Sequence, residues 1–171
     1  MEIRILDSED AAIYRELRLK SLKENPEAFL TTYEIEKDKP IEQLQRNLIA
    51  PNNRFTLGAF INNELVGIVT FVRESNPKIV HKGNIYAMYV SPEFREKGIG
   101  KSLIQELVIR AKQYDGLEQI NLTVITNHIA AKRLYETIGF VTYGIERNAL
   151  KTECQYWDEY LMVLRLNSHE N

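Results

Sequence analysis

The stretch Tyr86-Ala87-Met88-Tyr89-Val90-Ser91-Pro92-Glu93-Phe94-Arg95-Glu96-Lys97-Gly98-Ile99-Gly100-Lys101-Ser102 decides how the rest of the chain is read. Ile85 to Val90 reads as a strand closed by Ser91-Pro92, because proline cannot donate to a ladder and turns the residue before it away from helix. Beyond the glycines, Leu103, Ile104, Leu107, Val108 and Ala111 follow the 3, 4, 7, 8 spacing of an amphipathic helix that begins near Gly98. A strand that bends through glycine into a helix offers unpaired amides where the helix dipole also favours negative charge. Gly98 and Gly100 keep side chains out of the way of a close-lying group. Arg95, Lys97 and Lys101 add positive charge, so the bend suits phosphate oxygens. The competing reading is an ordinary glycine-rich turn with solvated lysines.

Two other phosphate motifs are tested by the same residues and fail. Gly100-Lys101-Ser102 matches the end of the P-loop pattern, but Arg95 stands where that pattern needs its first glycine. The dinucleotide fingerprint fails because Leu103 occupies its third glycine position.

Outward from the bend, Glu2 to Leu6 alternates as a half-buried strand, and Asp7 or Ser8 caps a helix to about Asn25, with Pro26 marking its end. Ala12, Leu17, Leu19 and Leu22 form its imperfect apolar stripe. A second helix starts with Pro40 in its first turn and carries Ile41, Leu44, Leu48 and Ile49, while Ala28 to Lys39 stays unassigned. Phe55 to Ile61 and Leu65 to Val72 form a hairpin across Asn62-Asn63. Past the long helix come a strand from Ile120 to Ile125, a helix from His128 to Ile138 ending at Gly139, and strands from Phe140 to Ile145 and Tyr156 to Leu166. This order mixes a meander with crossover helices, so it predicts an α/β layer structure on a mixed sheet rather than a doubly wound parallel one. The apolar Leu161 to Leu164 occupies both faces of the last strand, which fits a central strand or a homodimer interface equally.

Composition bounds the function. The 171 residues suffice for one domain over 1–171, without repeat or linker. The 22 basic and 24 acidic side chains leave a net charge of -2, which gives no whole-molecule field for nucleic acid or an anionic membrane. The longest mainly apolar run, Leu65 to Val72, is too short to cross a bilayer, and the start lacks a signal-peptide plan. A cytoplasmic location is expected. Cys154 has no internal disulfide partner, and His81, His128 and His169 show no zinc spacing, so no metal is expected.

The run Tyr86 to Gly100, followed after a helix and a strand by Asn127-x-x-Ala130-x-x-x-Leu134-Tyr135-Glu136-x-x-Gly139-Phe140, closely resembles the GNAT acetyltransferase superfamily. The specific resemblance spans about residues 84 to 140. It implies a mixed, mostly antiparallel twisted sheet of about six to seven strands flanked by about four helices. It implies acetyl-CoA as donor, with its pyrophosphate on the NH groups of residues 95 to 100 and its binding residues Arg95, Glu96, Lys97, Gly98, Ile99, Gly100, Lys101 and Ser102. The pantetheine arm is expected between the strands around Met88 to Val90 and Leu122 to Val124. A backbone amide of Tyr89 or Val90 is expected to meet the thioester carbonyl.

Direct attack by a neutral amine needs no enzyme nucleophile, and the chain has no Gly-x-Ser-x-Gly elbow. The resemblance makes Tyr135 the acid that protonates the departing thiolate; at helical spacing with Ala131 and Ile138 it also reads as a core residue. Asn127 reads as a helix cap, alone or with a coenzyme contact. An amine of pKa ~10.4 is neutral about one part in a thousand near pH 7.4, a handicap of ~4 kcal/mol. Asn84 stands where some family members place a glutamate base. Glu34, Glu36 or a water held by Tyr86 are the alternatives. Tyr33, Glu34, Glu36 and Tyr156 are candidates to line a site for a cationic amine acceptor. Against an N-acetyltransferase stand two further readings: a non-catalytic acyl-CoA binding or sensing module, and a nucleotide-phosphate binder using the same loop.

Overall fold

A computed structural model of the chain describes residues 1–49 and 52–166; His169 lies outside them. Seven strands form one sheet in the order β1-β2-β3-β4-β5-β7-β6, with β1 Glu2–Ile5, β2 Arg54–Ile61, β3 Glu64–Arg73, β4 Lys82–Val90, β5 Gln119–Ile125, β6 Val141–Thr152 and β7 Gln155–Arg165. The helices are α1 Ala11–Glu24, α2 Tyr33–Lys37, α3 Ile41–Leu48, α4 Ile99–Ala111 and α5 Ile129–Ile138. Only β4 and β5 pair in parallel, and every other neighbouring pair is antiparallel. The sheet is therefore mixed and mostly antiparallel. β7 lies between β5 and β6, which accounts for apolar residues on both of its faces.

Local chemistry explains the elements. Asn62 and Asn63 both take the left-handed backbone, with φ of 49° and 66°, as a two-residue hairpin requires. Asp7 caps a 3-10 turn at Ser8–Asp10 that runs into α1, and Asp10 answers it in a capping box. Leu103, Ile104 and Leu107 of α4 are fully buried against β2, β3 and β5 residues on one face of the sheet, each contributing roughly 2 kcal/mol. Leu17 of α1 and Leu44 and Leu48 of α3 pack on the opposite face against Phe60, Leu65 and Ile68.

Several boundaries differ from expectation. The unassigned segment contains α2, a five-residue helix capped by Thr32, too short to show a helical period. The buried face of α1 is Ala11, Tyr14, Leu17, Ser21 and Leu22, with Ala12 exposed. Pro40 is the N-cap of α3 rather than a first-turn residue, and Ile49 is exposed at its other end. β6 runs on to Thr152 through polar residues, because it is the sheet edge and faces water.

Candidate functional site

β4 and β5 are partnered only at Lys82–Gln119, Gly83–Ile120 and Asn84–Asn121. Beyond Asn84 they part, while β5 stays paired to β7 through Ile125. On the other edge of β4 a bulge lies between the rungs Thr70–Tyr86 and Ile68–Tyr89, and Ala87 within it takes φ 55°. Bulges bend a strand and re-aim its groups. Here the bend opens a cleft between two strands that begin in register.

The glycine bend closes one end of that cleft. Among the described residues no carbonyl accepts from the amides of Glu96, Lys97, Gly98, Ile99, Gly100 or Lys101, and the first helical bond is from Ser102 to Gly98 at 3.0 Å. Of the amides expected to hold the diphosphate, that of Arg95 is committed to the Pro92 carbonyl at 3.2 Å, so the free set begins at Glu96. Glu96 and Gly98 take φ of 62° and 79°. Arg95 turns back to donate from Nε to the Val90 carbonyl at 2.8 Å, and Lys97 donates to the Glu93 carbonyl at 3.1 Å. Both cations brace the bend while adding to its positive charge. The Ile99 side chain is core, so only its backbone faces outward. Lys101 is exposed. A Cβ at Gly100 would stand 3.1 Å from Met88 Cε and 3.3 Å from Leu134 Cδ2, which explains why glycine sits there.

The strand residues divide their roles. Ser91 donates to Val66 on β3 at 2.9 Å, so by strand alternation the Val90 amide points the other way, into the cleft. Of the two amides expected to meet a thioester, that of Val90 is the one turned off β3 toward the cleft. The Tyr89 hydroxyl donates instead to Glu24 at the end of α1. Tyr135 is buried, its ring edge-on to Phe140 at 5.8 Å, and burial pushes its hydroxyl pKa well up. No group among the described residues hydrogen-bonds that hydroxyl. Asn127 is exposed and does not cap α5. The N-cap is His128, whose Nε2 lies 3.0 Å from Glu27.

On the opposite face of the sheet, a cavity of about 350 Å³ is bounded by α1, α2, α3 and the β2, β3 and β4 strands, reaching Tyr86 and Ala87 at the bulge. Of the residues expected to line the acceptor site Glu36 does so, and Tyr86, expected to hold a water, lines it too. Glu36 is ion-paired with Lys39 at 2.7 Å. Glu34 pairs with Lys37 on the exposed side of α2, Tyr33 lies against Lys23 outside the cavity, and Tyr156 is exposed on β7. Asn84 donates to Glu74 at 2.8 Å. Sequence reading missed Tyr14, Arg18 and Arg54, which line the cavity. The signal available was a tyrosine and an arginine four residues apart on one helix. Among the described residues no group of three or more His, Cys, Asp or Glu is placed to hold a metal ion, and no helix is long and apolar enough to cross a membrane.

A family model described as "Acetyltransferase (GNAT) family" matches residues 16–140. The chain is 31% identical over 110 residues to N-alpha-acetyltransferase 30 of Xenopus laevis, a match spanning 57% of this chain and 40% of that protein. It is 21% identical over 146 residues to L-amino acid N-acetyltransferase AaaT of Escherichia coli, spanning 85% and 88%. A solved acetyltransferase of the GNAT family from Streptococcus pneumoniae superposes with TM-score 0.87 at 26% identity, covering 97% of this chain and 99% of that one. yncA, a putative acetyltransferase from Salmonella typhimurium solved with its cofactor acetyl-CoA, superposes with TM-score 0.84 at 21% identity, covering 100% and 96%.

Proposed function

The chain belongs to the acetyltransferase (GNAT) family, and from that membership we propose an acetyl-CoA-dependent N-acetyltransferase that passes its acetyl group directly to a primary amine. One observation carries the reading: the β4–β5 cleft beyond Asn84 opens beside six consecutive amides without carbonyl partners. The diphosphate lies on the amides of residues 96 to 101, beside Arg95 and Lys97. The pantetheine arm runs along Met88 to Val90, and Asn127 stands near the α5 end of the cleft. The amine nitrogen attacks the thioester carbon, the Val90 amide meets the developing oxyanion, and the C–S bond breaks. The Tyr135 hydroxyl, which burial keeps protonated at neutral pH, donates toward the sulfur as the C–S bond breaks; the proton it passes to the departing sulfur is replaced from solvent, so CoA leaves as the thiol and the hydroxyl is restored. Tyr86, at the cavity wall beside the bulge, holds the water that relays the amine's proton outward.

Release of CoA thiol tests this with purified protein, acetyl-CoA and a panel of polyamines, amino acids, aminoglycosides and peptides. Thiol release with at least one amine is expected. Binding of acetyl-CoA with no release across the panel would leave the non-catalytic binding module in its place.

A further inference from the structure

The cavity beside the bulge holds more positive charge than its own residues neutralise. Arg18 and Arg54 both line it. Arg18 Nη1 and Arg54 Nε are buried without a hydrogen-bond partner, and neither guanidinium is ion-paired among the described residues. The carboxylate that shares the cavity, Glu36, is already held by Lys39 at 2.7 Å. With Lys39 also in the wall, three cations face one anion in a chain whose net charge is -2.

Packing does not remove the imbalance. Arg18 lies with its guanidinium 4.5 Å from the Phe29 ring centroid, which orients the plane but supplies no acceptor for its N–H groups. Burial works against its charge, and buried donors without acceptors are costly and uncommon. Tyr14, one turn before Arg18 on the same helix face, is buried in the same wall. Tyr86 and Ala87 at the bulge also line it, where the proposed transfer brings in the amine. The site therefore has a cationic end and a reaction end within one small enclosure.

We infer that the acceptor is an amine that carries its own carboxylate, a free amino acid in chemical class, with the carboxylate seated on Arg18 and Arg54 and the amino group directed to the Tyr86–Ala87 wall. Guanidinium N–H groups in a fork match a carboxylate's oxygens, and a cavity of about 350 Å³ suits a ligand of that size. The inference rests on the transferase reading and adds the substrate class and two specificity-determining residues. A protein N-terminus brings no carboxylate to that end and would leave both arginines unpaired.

The test compares free L-amino acids with their carboxamides, and with short peptides, in the same thiol-release assay on wild type, Arg18→Gln and Arg54→Gln. Acetyl-CoA binding by calorimetry and the melting temperature are measured on each protein. Wild type should prefer the best acid over its amide by at least 100-fold in kcat/KM, through KM. In Arg18→Gln that ratio should fall to within about threefold of unity, with acetyl-CoA still bound and the protein still folded, since the side chain it replaces makes no ion pair or hydrogen bond among the described residues and loses only its contact with the Phe29 ring. Arg18→Lys should recover part of the preference. Amides or peptides turned over as well as acids by the wild type would overturn the inference while leaving the transferase reading intact. Failure to bind acetyl-CoA would overturn the reading itself. In that event a melting shift with amino acids that vanishes in Arg18→Gln still supports the site, and no shift overturns it.

Discussion

Asn84 and Asn121 are the last partnered residues between β4 and β5, and every backbone group of β4 beyond that rung on the β5 side is left for something other than a strand. Backbone donors are obligatory hydrogen-bonding groups, and two features keep these ones free. The Ala87 bulge with φ 55° holds β4 bent away, and β7 satisfies β5 on its far edge.

Acetyl-CoA should therefore protect a short, defined set of amides. Hydrogen exchange at Val90 and at residues 96 to 101 should slow on adding the coenzyme, and the melting temperature should rise by several degrees, as ~2.7 kcal/mol of linkage at a hundredfold excess over Kd requires. Exchange that slows elsewhere and not at these amides would move the donor site off the bend.

The two glycines of the bend should fail in different ways. At Gly98, φ is 79° and nothing lies within 4 Å of where a Cβ would stand, so Gly98→Ala costs roughly 1 kcal/mol of backbone strain and weakens coenzyme binding modestly. At Gly100 the obstruction is Met88 and Leu134, so Gly100→Val should push α4 off β4 and lose binding by far more. Urea unfolding paired with calorimetry on both variants separates strain from obstruction.

Tyr135→Phe isolates a hydroxyl that makes no hydrogen bond among the described residues. Stability should be unchanged or slightly higher, because no partner is orphaned. Turnover should fall by about a hundredfold or more with acetyl-CoA affinity retained. Steady-state kinetics at wild-type levels would remove the hydroxyl from the proton path.

Much of this arrangement was legible in the sequence because it rests on local rules. The Asn62-Asn63 turn, the α4 period and the Gly98 bend each depend on a few neighbouring residues. The bend by itself reads only as a place for phosphate oxygens; acetyl-CoA came from the resemblance of residues 84 to 140. What was not legible depends on distant pairing. α2 is too short for a period. His128 rather than Asn127 precedes α5, without a side-chain capping bond, and its ring reaches Glu27, a hundred and one residues earlier in the chain. The cavity on the α1 side of the sheet combines residues of α1 with Arg54 and Tyr86, and nothing in the order of the chain says that these converge. Of the residues expected around a cationic amine, Glu36 lines this cavity, whereas Glu34 pairs with Lys37 and Tyr33 lies against Lys23 of α1.

Thr56 and Thr70 share a buried hydroxyl–hydroxyl bond of 2.8 Å across β2 and β3. Thr70→Val alone leaves Thr56 without its partner and should cost about 1–2 kcal/mol. The Thr56→Val/Thr70→Val pair replaces both with apolar groups of similar shape and should recover most of that loss. Additive losses in denaturant melts would mean that the bond contributes nothing beyond packing.

Alkaline pH should unfold the protein through its buried tyrosines. Burial raises the pKa of Tyr14, Tyr89 and Tyr135 above the ordinary value near 10. In the unfolded chain all three regain that ordinary value, so above it the unfolded state releases protons that the folded state retains. Their contribution is fully present below pH 10 and is lost as pH rises from there, each group by at most about 1.4 kcal/mol per pH unit. Tyr135→Phe removes one of the three, so its stability should fall less steeply than that of the wild type between pH 9.5 and 11. Parallel slopes for the two proteins, from urea midpoints measured across that range, would show that the alkaline loss comes from groups other than the Tyr135 hydroxyl.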